Sequence, residues 1–372
     1  MAFNNARALV AAELRHLTTI QSSDRVWQMP FAAALASGLP LFIGAYFNHL
    51  AYGLVSSLGG LVFLYLPSTP LYHRMVMLLA CAFGMATCYT LGLMSHLVPP
   101  LMGPVLVFIA VLVTMVCRFY AMGPPSSLFF IMAASIGAYS PVPLLQVPMM
   151  VGLFTMGCVL ACLIGLFYSL YVLRRSPPTP VAPLPPPTFD FVVFDSVVIG
   201  AFVGISLAAA QALSLQKGYW VAVSCLAVIQ GASMRAVWNK QLQRVIGTGI
   251  GLLVSWGLLS LPLDKWTISL AMMVLTFVIE MTVVRHYAFA AVFITPLTIL
   301  LAEAATLGQG SSSALIQARF FDTVLGCIIG LAGAFCLHSV GVRTLARGLV
   351  RRLLPAAFAP AKTAGRGDHR VL

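Results

Sequence analysis

Charged residues are what this 372-residue sequence has least of. Nine are Asp or Glu and 21 are Lys or Arg, so the charged fraction is 8%, whereas soluble domains average about 25%. Hydrophobic residues make up 60% of the chain, and its mean hydropathy is +0.97. Water would not solvate a surface of this composition, which excludes a soluble globular protein. The chain is predicted to lie in a lipid bilayer.

Residues that build enzyme and metal sites are also scarce. Nearly all of the eight cysteines lie inside apolar runs, where cysteine behaves as a small hydrophobic residue, so we expect no disulfides. Cys158 and Cys162 share a helical face, but no His or carboxylate is near them in sequence, which argues against a metal. The sequence also contains no spaced set of nucleophile, base and orienting residue. We therefore predict neither catalysis nor a metal or other cofactor.

Twelve apolar runs approach the roughly 20 residues that a membrane-spanning helix requires. They are bounded by charged residues, proline and glycine and predict spans at 26–47, 51–67, 75–97, 99–117, 124–140, 147–172, 191–214, 219–234, 243–261, 265–284, 286–303 and 316–342. Because the runs at 51–67, 124–140 and 219–234 are short, ten spans are the alternative. Either count predicts an all-α polytopic membrane protein.

A proline-rich segment separates the runs into two sets of six. Residues 176–190 contain seven prolines, which favour an extended chain and prevent a helix from continuing. We interpret this segment as a cytoplasmic linker between a first transmembrane repeat at 26–175 and a second at 191–342. An amphipathic segment at 1–25 and a basic tail at 343–372 flank the repeats on the cytoplasmic side.

The positions of the basic residues predict the orientation. With twelve spans and a cytoplasmic N-terminus, 18 of the 21 Lys and Arg residues fall in cytoplasmic segments, Lys217 and Lys265 fall outside, and Arg319 falls within a span. This is the positive-inside distribution expected of a multi-pass protein of a bacterial inner membrane with both termini in the cytoplasm. It also accounts for most of the net charge of +12 without nucleic acid as a partner.

The two halves match each other at an offset of 167 residues. The offset pairs Tyr52 with Tyr219, Ser57 with Ser224, Arg118 with Arg285, and Tyr120 with Tyr287. Six spans per half make the repeats parallel, with a site expected near the membrane midplane where they meet. A chance alignment of similar apolar helices is the alternative. Arg319 and Asp322 have no charged counterpart in the first half, so we expect the second half to carry more of the polar chemistry.

Three motifs occur in the second half. An aromatic pair opens one span, an Arg-x-x-Gly-Thr-x-x-Gly motif opens the next, and an Arg-x-x-Asp-Thr-x-x-Gly motif lies in the last span. Their residues are Tyr219 and Trp220, then Arg244, Gly247, Thr248 and Gly251, and finally Arg319, Asp322, Thr323 and Gly326. This pattern resembles the fusaric acid resistance protein-like (FUSC) family of inner-membrane proteins and its aromatic acid exporter relatives.

The resemblance implies efflux of aromatic carboxylates or related organic acids, with a periplasmic adaptor and an outer-membrane channel as partners. Larger members of the family carry a cytosolic domain between the halves, where this chain has its proline-rich linker. Plant aluminium-activated malate channels look similar around the Arg-Gly-Thr segment, which implies that a channel mode is an alternative.

The charged residues inside the spans are the candidate substrate-binding or coupling residues. Arg319 and Asp322 are three residues apart on one helical face, so they can form a structural pair or take part in substrate or proton handling. Glu280 could be held by Arg285 or Arg244 as an ion pair at an inner gate, or it could carry a proton.

Arg244 begins a span on the cytoplasmic side, where it either follows the positive-inside rule or attracts a substrate carboxylate at the inner mouth. Tyr219 and Trp220 are placed for interfacial anchoring or for stacking on an aromatic substrate. Predicted helix-packing positions are Gly247, Thr248, Gly251, Thr323 and Gly326.

These observations predict an inner-membrane efflux transporter for aromatic carboxylic or other organic acids, energised by the proton gradient. A passive organic-anion channel and a non-transporting membrane assembly or envelope protein are the alternatives. The partners expected are the lipid bilayer, a small organic acid, the adaptor and channel named above, and a second copy in a homo-oligomer.

Overall fold

A computed structural model of the chain describes residues 26–184, 188–215, 217–231, 233–303 and 312–344. The expected amphipathic segment at 1–25 and the basic tail beyond residue 344 lie outside the described residues, as does part of the proline-rich linker.

Twelve α-helices lie wholly within the described residues, which contain no β-strand. The helices are α1 (Gln28–Tyr46), α2 (Leu50–Gly60), α3 (Leu71–His96), α4 (Pro99–Phe119), α5 (Leu128–Ala138), α6 (Val147–Leu173), α7 (Asp195–Ala212), α8 (Tyr219–Ile229), α9 (Met234–Leu259), α10 (Lys265–Thr282), α11 (Tyr287–Glu303) and α12 (Ser312–His338). A 3₁₀ turn, Leu61–Tyr65, continues α2, and a π-helical turn, Asp190–Phe194, leads into α7.

Eight of these helices are long and apolar enough to cross a membrane, and four are not. The four short helices are α2, α5, α8 and α11, which have 11 to 17 residues. An 11-residue helix is about 16 Å long, roughly half the thickness of the hydrocarbon core. Helix α5 begins only at Leu128, because Ser126 has a φ of 48°, which lies outside the right-handed helical region. The part of the chain that the structure describes is therefore all-helical, with eight candidate spans, and twelve full-length spans are not shown.

Long and short helices follow in the same order in both halves. Helices α1 to α6 have 19, 11, 26, 21, 11 and 27 residues, and α7 to α12 have 18, 11, 26, 18, 17 and 27. Packed pairs also correspond, since α1–α2, α2–α6, α3–α5 and α3–α6 have the counterparts α7–α8, α8–α12, α9–α11 and α9–α12. Between the halves, α4 packs on α7, α1 packs on α10, and α5 makes a smaller contact with α8.

Alternate helix ends gather at two opposite ends of the bundle. At the end near the linker, Thr179 contacts Ser68, and Gln230 Nε2 after α8 donates to Ser127 Oγ before α5 at 2.7 Å. At the other end, His96 Nδ1 lies 2.8 Å from Ala138 O. We call these the linker end and the opposite end.

Helix α8 lies at the centre of the second half, with all eleven of its residues buried. Gly326 of α12 lies directly against the Val221 carbonyl of α8. Gly247 and Gly251 of α9 face α11 so closely that a Cβ on either would lie 2.6 Å from a backbone oxygen. The absence of side chains at these glycines allows the helices around α8 to approach one another.

Candidate functional site

Three charged side chains are buried around α8. Arg244 on α9 is 6% exposed, Arg319 on α12 is 5% exposed, and Asp322 on α12 is 1% exposed. A charged residue at the centre of a membrane helix costs about 2.5–3.5 kcal/mol on insertion scales, and such residues mark functional sites by default. The sequence predicted all three as candidates.

Two hydroxyl groups hold the Arg244 guanidinium. Its Nη1 donates to Tyr287 Oη at 2.7 Å, and its Nη2 donates to Ser224 Oγ at 3.1 Å. Its Nε is buried without a hydrogen-bond partner among the described residues. Because Tyr287 begins α11 and Ser224 lies in the middle of α8, Arg244 connects the linker end to the centre of the bundle. The Lys240 ammonium lies 5.2 Å from the centroid of the Tyr287 ring, so a second cation stands on the linker side of this contact.

Arg319 is stacked on an aromatic ring. Its guanidinium carbon lies 4.1 Å from the centroid of the Trp220 ring. This cation–π contact occupies one face of Trp220, and an aromatic ligand cannot stack on the same face. The Nε and Nη1 groups of Arg319 are buried and have no hydrogen-bond partner among the residues described. The guanidinium therefore carries unused N–H donors in a buried position.

Asp322 is one turn from Arg319 but is not joined to it by a hydrogen bond or an ion pair. Its Oδ1 is buried and has no hydrogen-bond partner in the described part of the chain. The two charges still attract each other, whereas the charges of Arg319 and Arg244 repel. Two cations and one carboxylate give the cluster a surplus positive charge, which favours binding of an anion.

An aromatic wall from both halves closes the cluster. The centroids of Tyr219 and Trp220 lie 4.9 Å apart, and the Tyr139 ring lies edge-on to Tyr219 at 5.8 Å. Tyr139 follows α5 of the first half, and its hydroxyl is buried. The sequence analysis did not identify Tyr139, because nothing in the pattern around it relates it to α8.

The remaining predicted residues lie elsewhere or support the helices. Glu280 is 8% exposed on α10 and does not pair with Arg244, whose donors go to Tyr287 and Ser224. Arg285 is exposed in the turn after α10. Thr248 is buried on α9, and the Thr323 hydroxyl donates to the Arg319 carbonyl at 2.8 Å.

Comparison with known proteins agrees with the motifs. Residues 197–333 match the family model described as fusaric acid resistance protein-like, which confirms the predicted resemblance for this segment. The chain is also similar to the uncharacterized membrane protein YvaC of Bacillus subtilis (strain 168), with 32% identity over 138 residues. That alignment covers 36% of this chain and 22% of YvaC, so the chain spans about a fifth of this relative's length. No solved structure matches the chain. The matched segment includes every charged residue of the buried cluster.

Proposed function

We propose that the chain is a bacterial inner-membrane transporter that exports organic acids, with aromatic carboxylates as its main substrates. One observation carries the proposal: Arg319 is buried in an apolar helix bundle with unused N–H donors and with a second cation, Arg244, in electrostatic range. A guanidinium binds carboxylates with two parallel hydrogen bonds, and such bonds are strong where water is excluded. The match to proteins described as fusaric acid resistance protein-like supports an acid as substrate and export as direction.

The architecture proposed is twelve membrane helices in two parallel six-helix repeats. The recurrence of helix lengths and of packed pairs supports this arrangement. Under it, the short helix α8 begins inside the protein, near Arg319. Discontinuous helices in transporters commonly direct their N-termini at anionic groups of the substrate.

The linker end is proposed to face the cytoplasm. Arg74, Arg118, Arg174, Arg235 and Arg285 belong to segments at this end, and Lys265 begins a helix at the opposite end. This distribution follows the positive-inside rule and would place both termini in the cytoplasm.

The proposed route for an anion starts at the linker end. A carboxylate would pass Lys240 and Tyr287, reach Arg244, and bind at the free N–H edge of Arg319, with its ring against the Tyr139 and Tyr219 side of the cluster. Export of an anion is favoured by the inside-negative potential by about 2.3 kcal/mol per 100 mV. Asp322 is the group through which the pH gradient would act, because its protonation changes the charge next to Arg319.

The test is flux of labelled benzoate and of fusaric acid in proteoliposomes that contain the full chain, with voltage and pH gradient imposed separately. We expect saturable flux that responds to both gradients, and we expect Arg319→Gln to lower it about tenfold or more, since a hydrogen bond to a charged group contributes about 1.5–3 kcal/mol. Arg174→Gln, which changes an exposed arginine at the linker end, is the matched control.

Flux that follows voltage but ignores the pH gradient would replace the proposal with a passive anion channel. Absence of flux of any organic acid, together with co-purifying proteins, would favour an assembly role. The periplasmic adaptor, the outer-membrane channel and a homo-oligomer are proposed partners that the same purification can reveal.

A further inference from the structure

The backbone of Tyr139 is fixed to the first half of the chain. Tyr139 directly follows α5, and α5 is closely packed on α3, because Gly92 of α3 lies directly against the Ala134 carbonyl of α5. At the end of α3, His96 Nδ1 lies 2.8 Å from the carbonyl oxygen of Ala138, the residue before Tyr139. Any movement of the first half therefore carries the backbone of Tyr139 with it.

The ring of Tyr139, in contrast, packs against the start of α8 in the second half. It lies edge-on to Tyr219 with 5.8 Å between the ring centroids, and its buried hydroxyl lies close to Gly218, where a Cβ would be 3.0 Å from the hydroxyl oxygen. The Tyr219 ring lies 4.9 Å from the Trp220 ring, on which the guanidinium of Arg319 stacks at 4.1 Å. A continuous row of ring contacts thus connects the first half to Arg319.

The contact between α5 and α8 has a different chemistry at each of its two ends. At the linker end, the fully buried Ser127 hydroxyl accepts hydrogen bonds from Gln230 Nε2 at 2.7 Å and from Thr114 Oγ1 at 3.2 Å. Separation there would leave buried polar atoms without partners, which is costly. At the opposite end, the helices meet through the edge-on rings of Tyr139 and Tyr219, and a half-buried ring can leave such a contact by rotation about its side-chain bonds. Separation is therefore easier at the opposite end.

We infer that the contact between Tyr139 and Tyr219 is a gate between Arg319 and the opposite end of the bundle. When the two halves move apart at this end, Tyr139 is withdrawn with the first half, and Trp220 and Arg319 become accessible from that side. The hydrogen bond between Gln230 and Ser127 keeps α5 and α8 joined at the linker end. The inference rests on the proposed function, because a gate requires a solute site at Arg319, but movement and water access can be measured without any solute.

Distance measurements by electron paramagnetic resonance test the movement. Spin labels attached through a genetically encoded keto amino acid leave the eight native cysteines unchanged. One pair, Leu145 and Leu213, spans the two halves at the opposite end, and a second pair, Tyr120 and Val340, spans them at the linker end; all four side chains are 56–93% exposed. For the full chain in lipid nanodiscs, we expect Tyr139→Ala to shift the first distribution to longer distances or to add a longer peak, while the second keeps its width.

Hydroxyl-radical footprinting tests the access of water. Trp220 is 4% exposed, and mass spectrometry of its peptide measures its rate of oxidation. Tyr139→Ala should raise this rate about fivefold or more, because a minor open state populated at about 10% or less has room to grow by that factor. Tyr139→Phe retains the ring and should keep both the distances and the rate of the wild type. Tyr46→Ala removes a tyrosine that is 69% exposed elsewhere at the opposite end and is the control that should change neither.

The outcomes separate the gate from the proposed transport. Unchanged Leu145–Leu213 distances and unchanged Trp220 oxidation in folded Tyr139→Ala protein would overturn the gate, whatever the benzoate flux of the wild type. Equal broadening of both label pairs would also overturn it, because the halves would then loosen as a whole. The expected changes without benzoate flux in the wild type would support the gate and overturn the proposed substrate. If Tyr139→Ala does not fold, Tyr139→Leu retains apolar volume without the ring and should produce the same changes at smaller size.

Discussion

Replacement of Arg319 by Met separates a functional arginine from a structural one. Around the last helix of each half the offset between the halves is 169 residues rather than 167, since Gly157 and Cys158 align with Gly326 and Cys327. This offset places Met150 of the first half at the position of Arg319, so Met is a side chain that this type of helix position accepts. Arg319 has buried N–H groups without partners and is repelled by Arg244. Removal of the guanidinium is therefore expected to weaken substrate binding without loss of stability.

The magnitude follows from opposing terms. Removal of a charged side chain from the interior of a membrane helix gains about 2.5–3.5 kcal/mol on insertion scales. Loss of the cation–π contact with Trp220, 4.1 Å from the guanidinium, costs up to about 2 kcal/mol at a desolvated site. Loss of the attraction between Arg319 and Asp322 offsets most of the gain that remains after the cation–π contact is lost. The free energy of unfolding of Arg319→Met should therefore rise by about 0–1 kcal/mol. For a chain of this size, 1 kcal/mol corresponds to a Tm shift of about 2 °C.

The assay is thermal unfolding of detergent-solubilised protein followed with a thiol-reactive dye. All eight cysteines are free and buried or half-buried, so they report loss of structure. Arg118→Met is the matched control, because Arg118 is in an ion pair with Asp195 and is 17% exposed. Its replacement leaves a buried carboxylate with one arginine fewer and should lower the free energy of unfolding by about 2 kcal/mol. The two Arg→Met variants should therefore shift Tm in opposite directions.

Benzoate flux completes the comparison. Arg319→Met should reduce flux about 10- to 100-fold, the equivalent of 1.5–3 kcal/mol of lost hydrogen bonding to a charged group. A fall in Tm as large as that of Arg118→Met, with flux lost only in proportion to the folded fraction, would refute the reasoning and make Arg319 a structural residue.

Three further predictions concern the same helices. Tyr287→Phe removes the hydroxyl that accepts a hydrogen bond from Arg244, and it should raise the apparent KM for benzoate about tenfold with an unchanged Tm. An unchanged KM would mean that Arg244 is held in place without this hydroxyl. Asp322→Asn should make benzoate flux insensitive to an imposed pH gradient while it still follows voltage, and retention of the full pH response would exclude Asp322 as the coupling group. Gly247→Val should lower the yield of folded protein in size-exclusion chromatography, because a Cβ at this position would lie 2.6 Å from a backbone carbonyl oxygen. Gly249→Ala is the control and should not lower the yield, because a Cβ at Gly249 would have no neighbour within 4 Å. Equal yields would contradict the packing described for α9 and α11.

Many helix ends could be predicted from the sequence, because proline, glycine or charged residues mark them. The predicted span at 147–172 corresponds to the helix Val147–Leu173, and the one at 265–284 corresponds to Lys265–Thr282. Proline, glycine and charged residues mark these ends in sequence. The ends of the short helices could not be predicted in this way, because the apolar run continues past the end of the helix. Leu61–Tyr65, for example, is apolar but forms a 3₁₀ turn after α2.

The buried cluster could be predicted in composition but not in geometry. Motif and burial arguments identified Arg244, Arg319 and Asp322 from charge in an apolar run. The spacing of Arg319 and Asp322 allows a direct pair, yet the guanidinium stacks on Trp220 of another helix, and helical spacing contains no information about that helix. Tyr139 comes from the other half of the chain, and long-range contacts of this kind have no periodic signal in sequence.

The two halves share the same order of helices but differ in buried charge, and this difference gives them different roles. The positions that correspond to Arg319 and Asp322 are Met150 and Leu153, although Ser57 occupies the position of the Arg244 acceptor Ser224 and is also buried. A second set of buried charges would add its own insertion penalty. Tyr139 of the first half reaches the cluster across the contact between α5 and α8. The first half therefore serves the cluster by closing it, and movement of one half against the other would change access to Arg319 without any change within α12.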